Sequence, residues 1–311
     1  MEELAPTIAP KTRVIDVEYL GNPKVIAACL LEGDGNVAII DPGPTSALHT
    51  LRRKLDQLGL GVAGVDTILL THIHLDHAGA TGSLVRENPR IHVYVHERGA
   101  PHMIDPARLL ESAQRLYGTE MDRLWGEFLP VPAANVSALA GGEQLDLGGR
   151  RLEVEYTPGH ASHHVSYFDT ANELAFVGDT AGIRIANGQT ILPITPPPDI
   201  DLESWAKSWE QIKARHPERM FLTHFGAADR VSEHLDELRG RLEEWSVAVR
   251  ESLKDGAEDA ARATQFAEQV IAKLKQHLPE RDAYRYAKGA ALDLCWYGLA
   301  RYWRKRAAAT A

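Results

Sequence analysis

The sequence predicts an α+β protein: two β-rich halves, each with helices, followed by an all-helical tail. Three observations predict it. Short apolar runs bounded by turn residues alternate with helical patterns from residue 13 to about 103. A second set of such runs occupies residues 143–226, and beyond 229 the apolar residues recur at helical spacing alone. A less regular stretch, 104–140, separates the halves as an insertion.

Each element follows in order. "RVIDVEYL" and "KVIAACLLEGDGNVAIID" are strands, with Gly33 to Gly35 turning a hairpin between two apolar runs. "SALHTLRRKLDQLGL" places Leu48, Leu51, Leu55 and Leu58 on one helix face, and "VDTILL" is a short buried-type strand. "ATGSLVRENP" is a short helix and "IHVYVH" the next strand. "DPARLLESAQRLYG" predicts a helix capped by Asp105, with Pro106 at its first position. Gly148 and Gly149 turn a second hairpin inside "EQLDLGGRRLEVEYTPGH", and "HHVSYFD", "ELAFVGD" and "RMFLTHFG" continue the strands. Pro196, Pro197 and Pro198 keep 187–205 irregular before a helix over 202–215. In the tail, Val231, Leu235, Leu238, Leu242, Trp245 and Val249 step by four and three along one helix. "ATQFAEQVIAKLKQHL" and "RDAYRYAKGAALDLCWYGLARYWRKR" are two more.

The bulk numbers bound the chemistry. The chain has 311 residues, 44% hydrophobic, with a formal charge of -9. That balance gives no electrostatic reason to expect nucleic acid or an anionic membrane as partner, and "RYWRKR" is expected to be a solvated helix end. No stretch approaches the roughly 18 apolar residues of a membrane span, and the N-terminus lacks a charged-then-apolar leader pattern. Cys29 and Cys295 lie in apolar settings that suit buried thiols. The expectation is a cytoplasmic protein acting on a small-molecule substrate.

"THIHLDHAGA" carries the functional signal. With 14 histidines in 311 residues, placing His72, His74, Asp76 and His77 within six positions behind an apolar strand concentrates metal-type donors on one turn. His160 in "TPGHASHH", Asp179 in "VGDT" and His224 in "THFG" each stand where another strand ends.

These segments, with "DPGP" at 41–44 and in the same order, resemble the metallo-β-lactamase superfamily, nearest its glyoxalase II-like and lactonase-like hydrolases. The resemblance covers roughly residues 13–228 and implies an αββα sandwich as catalytic domain (1–228), with 229–311 a C-terminal helical extension. It implies two zinc ions, with iron or manganese as alternatives. His72, His74 and His160 would hold one, Asp76, His77 and His224 the other, and Asp179 would bridge them. Asp76 and Asp179 would then be catalytic, around a shared hydroxide that cleaves an ester, lactone or thioester. Asp41 would fix a ligand imidazole by accepting its other N–H. His164 is either a substrate or metal-shell contact or an ordinary strand-start residue, and Arg184 either binds an anionic substrate group or is exposed. His92, His96 and His102 are expected to be structural, with His102 as a possible pocket-mouth residue. Trp125, Phe128 and Leu129 are either an apolar wall for an acyl group or core. The fold also hosts phosphoester hydrolases and a mononuclear iron persulfide dioxygenase branch, the alternatives to hydrolysis of an acyl bond. The tail is expected to be a lid over the site or a homodimer contact.

Overall fold

A strand that is apolar on both faces needs cover on both faces. In "AACLL", Cys29 and Leu31 join one buried cluster while Ala28 and Leu30 join another. A computed structural model, which describes residues 4–185, 189–254 and 256–310, shows how both are covered. Cys29 and Leu31 face a second sheet, and Ala28 and Leu30 face helices.

The first sheet runs β1 (Thr7–Ala9), β2 (Thr12–Asp16), β3 (Ala27–Glu32), β4 (Val37–Ile40), β5 (Thr67–Leu69), β6 (His92–His96), β7 (Val136–Leu139), each strand beside the next. The second is formed by β8 (Gln144–Leu147), β9 (Arg150–Tyr156), β10 (Val165–Asp169), β11 (Leu174–Phe176), β12 (Arg219–Leu222) and β13 (Gly226–Asp229), again in sequence order. β4, β5, β6 and β7 are mutually parallel, as are β11 and β12. The two sheets close on Ile40, Leu69, Val154, Tyr167, Phe176 and Phe221, all buried between them. This is the αββα sandwich, with mixed α and β elements.

Both expected hairpins form. Gly33 N–H donates to Asn36 O at 2.8 Å, and Gly148 and Gly149 take φ of 63° and 77° between β8 and β9, the left-handed pair that suits a two-residue turn. α1 (Leu48–Gln57) buries Leu48, Leu51 and Leu55. α2 (Leu75–Ala78) and α3 (Thr81–Glu87) follow β5. α4 (Ala100–Ile104), α5 (Ala107–Tyr117) and α6 (Met121–Leu124) occupy the stretch between the halves. α5 starts one residue later than its sequence suggests: Pro106 takes the cap position, and the Asp105 carboxylate accepts the Ala107 N–H at 3.2 Å. The short strands β1, β7 and β13 escape the sequence because "TIA", "VSAL" and "GAAD" lack the apolar run that marks the equally short β5 and β11. The irregular stretch predicted over 187–205 begins outside the described residues and is seen over 189–201, its last four residues forming the first turn of the next helix.

α7 (Leu202–Ala214) opens on Asp201, whose carboxylate accepts Ser204 N–H at 2.8 Å. α8 (Val231–Ser252) buries the whole stripe from Val231 to Val249. α9 (Asp259–Leu274) packs beside it. The last expected helix is two, α10 (Glu280–Ala290) and α11 (Leu292–Thr310), broken at Ala291 with φ 46°. No proline marks the break. α10 crosses Ile185 at Gly289, where a Cβ would come within 2.1 Å of the isoleucine, while α11 lies along α8 and α9. Two packing partners in different directions override a continuous helical pattern. The tail's buried residues are continuous with the core that covers the outer sheet faces. No helix among the described residues is long and apolar enough to cross a membrane.

Candidate metal centre

Parallel strands deliver their next residues to one edge. Ile40 pairs with Leu69 and Phe176 with Phe221, so Asp41, Thr71, Asp179 and His224 emerge level at the same end of the sandwich. Hydrogen bonds to main-chain carbonyls stitch the two sheets together there. Val165 N–H donates to Thr71 O at 2.8 Å, Ala27 N–H to Thr223 O at 2.8 Å, and the buried Tyr167 hydroxyl to Leu70 O at 2.8 Å. α7 fixes the Asp179 turn from behind: Trp205 and Trp209 both donate their indole N–H to Thr180 O, at 2.8 and 2.7 Å. Gly159 makes that approach possible, because a Cβ there would lie 2.2 Å from Trp205 Cβ.

Two donor clusters result. His72, His74 and His160 form one, and Asp76, His77, Asp179 and His224 the other, with the donor atoms of each within 4.8 Å of one another. In the first, His74 Nδ1 lies 3.0 Å from both His72 Nε2 and His160 Nε2. In the second, His77 Nε2 is 3.3 Å from Asp179 Oδ1, and His224 Nε2 is 3.3 Å from Asp76 Oδ2. Asp179 Oδ2 faces the first cluster, 3.5 Å from His160 Nε2. Two ligands about 2.1 Å from one tetrahedral ion sit about 3.4 Å apart, so this spacing fits donors around a cation.

The hydrogen bonds behind the rings sharpen that fit. His160 Nδ1 donates to Ile194 O at 2.8 Å, His224 Nδ1 to Val25 O at 2.8 Å, and His77 Nδ1 to Asp41 Oδ2 at 2.8 Å. Each bond assigns the proton to Nδ1 and turns an Nε2 lone pair towards the centre. His77 Nε2, His224 Nε2 and Asp179 Oδ1 are buried there with no hydrogen-bond partner. Converging orphaned acceptors are costly unless a cation satisfies them.

Asp41 is the hub. It is fully buried and accepts Thr71 N–H and Oγ1–H at 2.8 and 2.7 Å, Thr223 Oγ1–H at 2.8 Å, and His77. The two clusters carry opposite charge tendencies. Burial, with neighbouring imidazoles, pushes the His72 and His74 pKa values down, His74 to about 4. Burial also lowers His160. Burial opposes charge on His77 and His224 too, but the Asp179 and Asp76 carboxylates overcome it and raise both. Burial would raise Asp76, yet His77 and His224 hold it down to about 2.

The sequence profile described as "Metallo-beta-lactamase superfamily" matches residues 21–224. The chain belongs to the metallo-beta-lactamase superfamily. A metallo-beta-lactamase fold-containing protein of Sulfurisphaera tokodaii is 28% identical over 226 residues, 71% of this chain and 81% of that one. A hydroxyacylglutathione hydrolase of Aeromonas hydrophila is 28% identical over 151 residues, 49% of this chain and 44% of its own length. The chain therefore spans less than half of that relative. Among solved structures, a metallo-beta-lactamase family protein of Thermus thermophilus superposes with a TM-score of 0.73 at 22% identity, covering 97% of this chain and 95% of the other.

Beyond the superfamily's donor edge, the other predicted residues sort by their contacts. His164 stacks behind His72 at 5.0 Å between ring centroids, with Nδ1 against the Thr157 and Thr180 hydroxyls, so it lies outside both clusters. Arg184 gives its main-chain N–H to His224 O and its guanidinium to Ala227 O, which makes it a brace behind His224. His92 pairs with Ser137, His96 stacks on Tyr156, and His102 lies half-buried on α4. Phe128 is core. Trp125 stacks on Tyr19 at 5.9 Å and meets Tyr117 edge-on at 5.1 Å. Burial and the charge of Asp76 raise both phenol pKa values, so both remain hydrogen-bond donors. Tyr19 and Tyr117 carry no sequence signal. The repeated Thr-His dipeptide at 71–72 and 223–224 does, since both threonines serve Asp41.

Proposed function

We propose that this chain is a dinuclear metal-dependent hydrolase of acyl bonds. His72, His74 and His160 hold one divalent ion, Asp76, His77 and His224 the other, and Asp179 lies between them. The observation that carries the reading is the sharing of Asp179 by two donor clusters, its two oxygens 3.3 Å from His77 Nε2 and 3.5 Å from His160 Nε2. An imidazole-rich donor set suits zinc better than magnesium or calcium. When bound, two such ions lower the pKa of a shared water and polarise a carbonyl.

The chain's own groups do the rest. Asp76, its side chain 22% exposed, opens to solvent and stays ionised, so its free oxygen accepts a hydrogen from water at the site and orients it. Tyr19 Oη and Trp125 Nε1 are buried donors with no partner, on an aromatic wall that suits the acyl portion of a substrate. The hydroxyacylglutathione hydrolase relatives put thioesters first among candidates, then lactones and aryl esters.

Elemental analysis of protein purified without added metal, paired with a panel of those substrates, tests the reading. The expected result is close to two zinc ions per chain and turnover that His72→Ala abolishes. One iron per chain with oxygen uptake on a persulfide, or undiminished turnover in His72→Ala, overturns it.

A further inference from the structure

We infer that the C-terminal helices act as a strut that positions His160, working through the backbone of the proline-rich loop at residues 190–198. The inference rests on the reading of His160 as a metal ligand.

The partner that orients His160 is a main-chain carbonyl, Ile194 O, at 2.8 Å. That carbonyl lies in 193–198, which has no regular secondary structure. Its place is therefore set by whatever holds the residues on either side. On one side, Leu192 exchanges two main-chain bonds with Ile183, and Thr190 O accepts the buried Tyr286 hydroxyl of α10 at 2.7 Å. On the other, Thr195 is locked to α11: its N–H donates to Cys295 Sγ at 3.4 Å and its hydroxyl to Cys295 O at 3.0 Å. Thr195 and Cys295 are both fully buried. The fit leaves no slack, because a Cβ on Gly298 would lie 1.9 Å from Thr195 O. Arg301 Nε then donates to Pro198 O at 3.3 Å. Helices α10 and α11 thus grip the loop at 190, 195 and 198, bracketing Ile194.

The other oriented imidazoles do not depend on α11 in this way. His77 is held by Asp41 after β4, and His224 by Val25 just before β3, a segment that α10 touches through Arg285 and Pro23 O but α11 does not. The strut also lies outside residues 21–224, the part that matches the superfamily profile. Metal sites tolerate little displacement of their ligands, so a shift of the loop by a fraction of an ångström is felt at His160 Nε2.

The test uses full-length protein, zinc titration against a coloured chelator, and the absorption spectrum of the cobalt-substituted form. Thr195→Val removes the hydroxyl bond to Cys295 O, Thr195→Ser keeps it, and Gly298→Ala pushes on Thr195 O. Trp303→Phe serves as control, since it removes a 3.0 Å bond from α11 to Ser246 O without touching the loop. Thr195→Val and Gly298→Ala are expected to weaken one of the two zinc ions by roughly 10- to 100-fold and alter the cobalt spectrum, leaving the other ion unchanged. Thr195→Ser should restore both, and Trp303→Phe should lower Tm while keeping both affinities. Should Gly298→Ala not fold, Thr195→Val carries the test alone. Wild-type protein that binds two ions, with Thr195→Val matching it or Trp303→Phe losing as much, overturns the strut alone. Wild-type protein that binds fewer than two overturns the reading of the centre, and the strut with it.

Discussion

The two halves of the donor edge use the same imidazole in opposite states. In the His72, His74 and His160 cluster no carboxylate is a member, and burial leaves the rings neutral. In the Asp76, His77, Asp179 and His224 cluster two carboxylates raise the imidazole pKa values. In one half burial disfavours a competing proton; in the other the carboxylates favour it. Neighbouring charge, rather than residue type, decides which way a buried histidine goes.

Removing Asp179, which belongs to one half and faces the other, should have the largest effect. Asp179→Ala is expected to cut hydrolysis of the best panel substrate by about a thousandfold and to lower metal content, measured by steady-state rates and elemental analysis. Next comes the hub, which accepts His77 directly and reaches His72 only through Thr71. Asp41→Asn keeps the shape but removes the charge that holds His77, and should weaken the ion at His77 by roughly 10- to 100-fold and the other by less. Chelator competition checks it, and equal loss at both ions breaks the comparison.

Acidification should separate the halves in a graded way. As pH falls, protons compete with a cation first at His77 and His224, whose pKa values are raised, and affinity at their cluster falls by about tenfold per pH unit for each proton displaced. The other cluster, with His74 at about 4, should hold its affinity until the pH nears that value. Zinc affinity measured across pH 4–7 shows two slopes if this is right and one if it is not. The smallest effect belongs to the aromatic group around Trp125, whose two tyrosines feel the Asp76 charge. Trp125→Ala should raise KM roughly tenfold with little change in kcat, and an equal fall in kcat would move Trp125 from binding to chemistry.

Much of this edge was legible in one dimension. "THIHLDHAG" packs four metal-type residues into one turn, and apolar runs that stop at His160, Asp179 and His224 mark strand ends, so local pattern singled out the seven residues that the structure gathers at this edge, while the sandwich itself was implied by the family resemblance. Asp41 was legible as the acidic residue after "VAII", although its four partners were not, because Thr71, Thr223 and His77 reach it from separate elements. Tyr19 and Tyr117 escaped notice since a lone aromatic has no pattern until a partner such as Trp125 stands beside it. The break at Ala291 was hidden for the same reason: helical spacing runs through it, and only Ile185 on one side and Thr195 on the other force the turn. What the sequence by itself determined is which seven metal-type residues meet at this edge, since strand ends and one turn restrict their positions. What the tertiary structure alone decided is how each donor is oriented and charged, because hydrogen-bond acceptors such as Ile194 O and the fields of Asp76 and Asp179 come from residues far away in the chain.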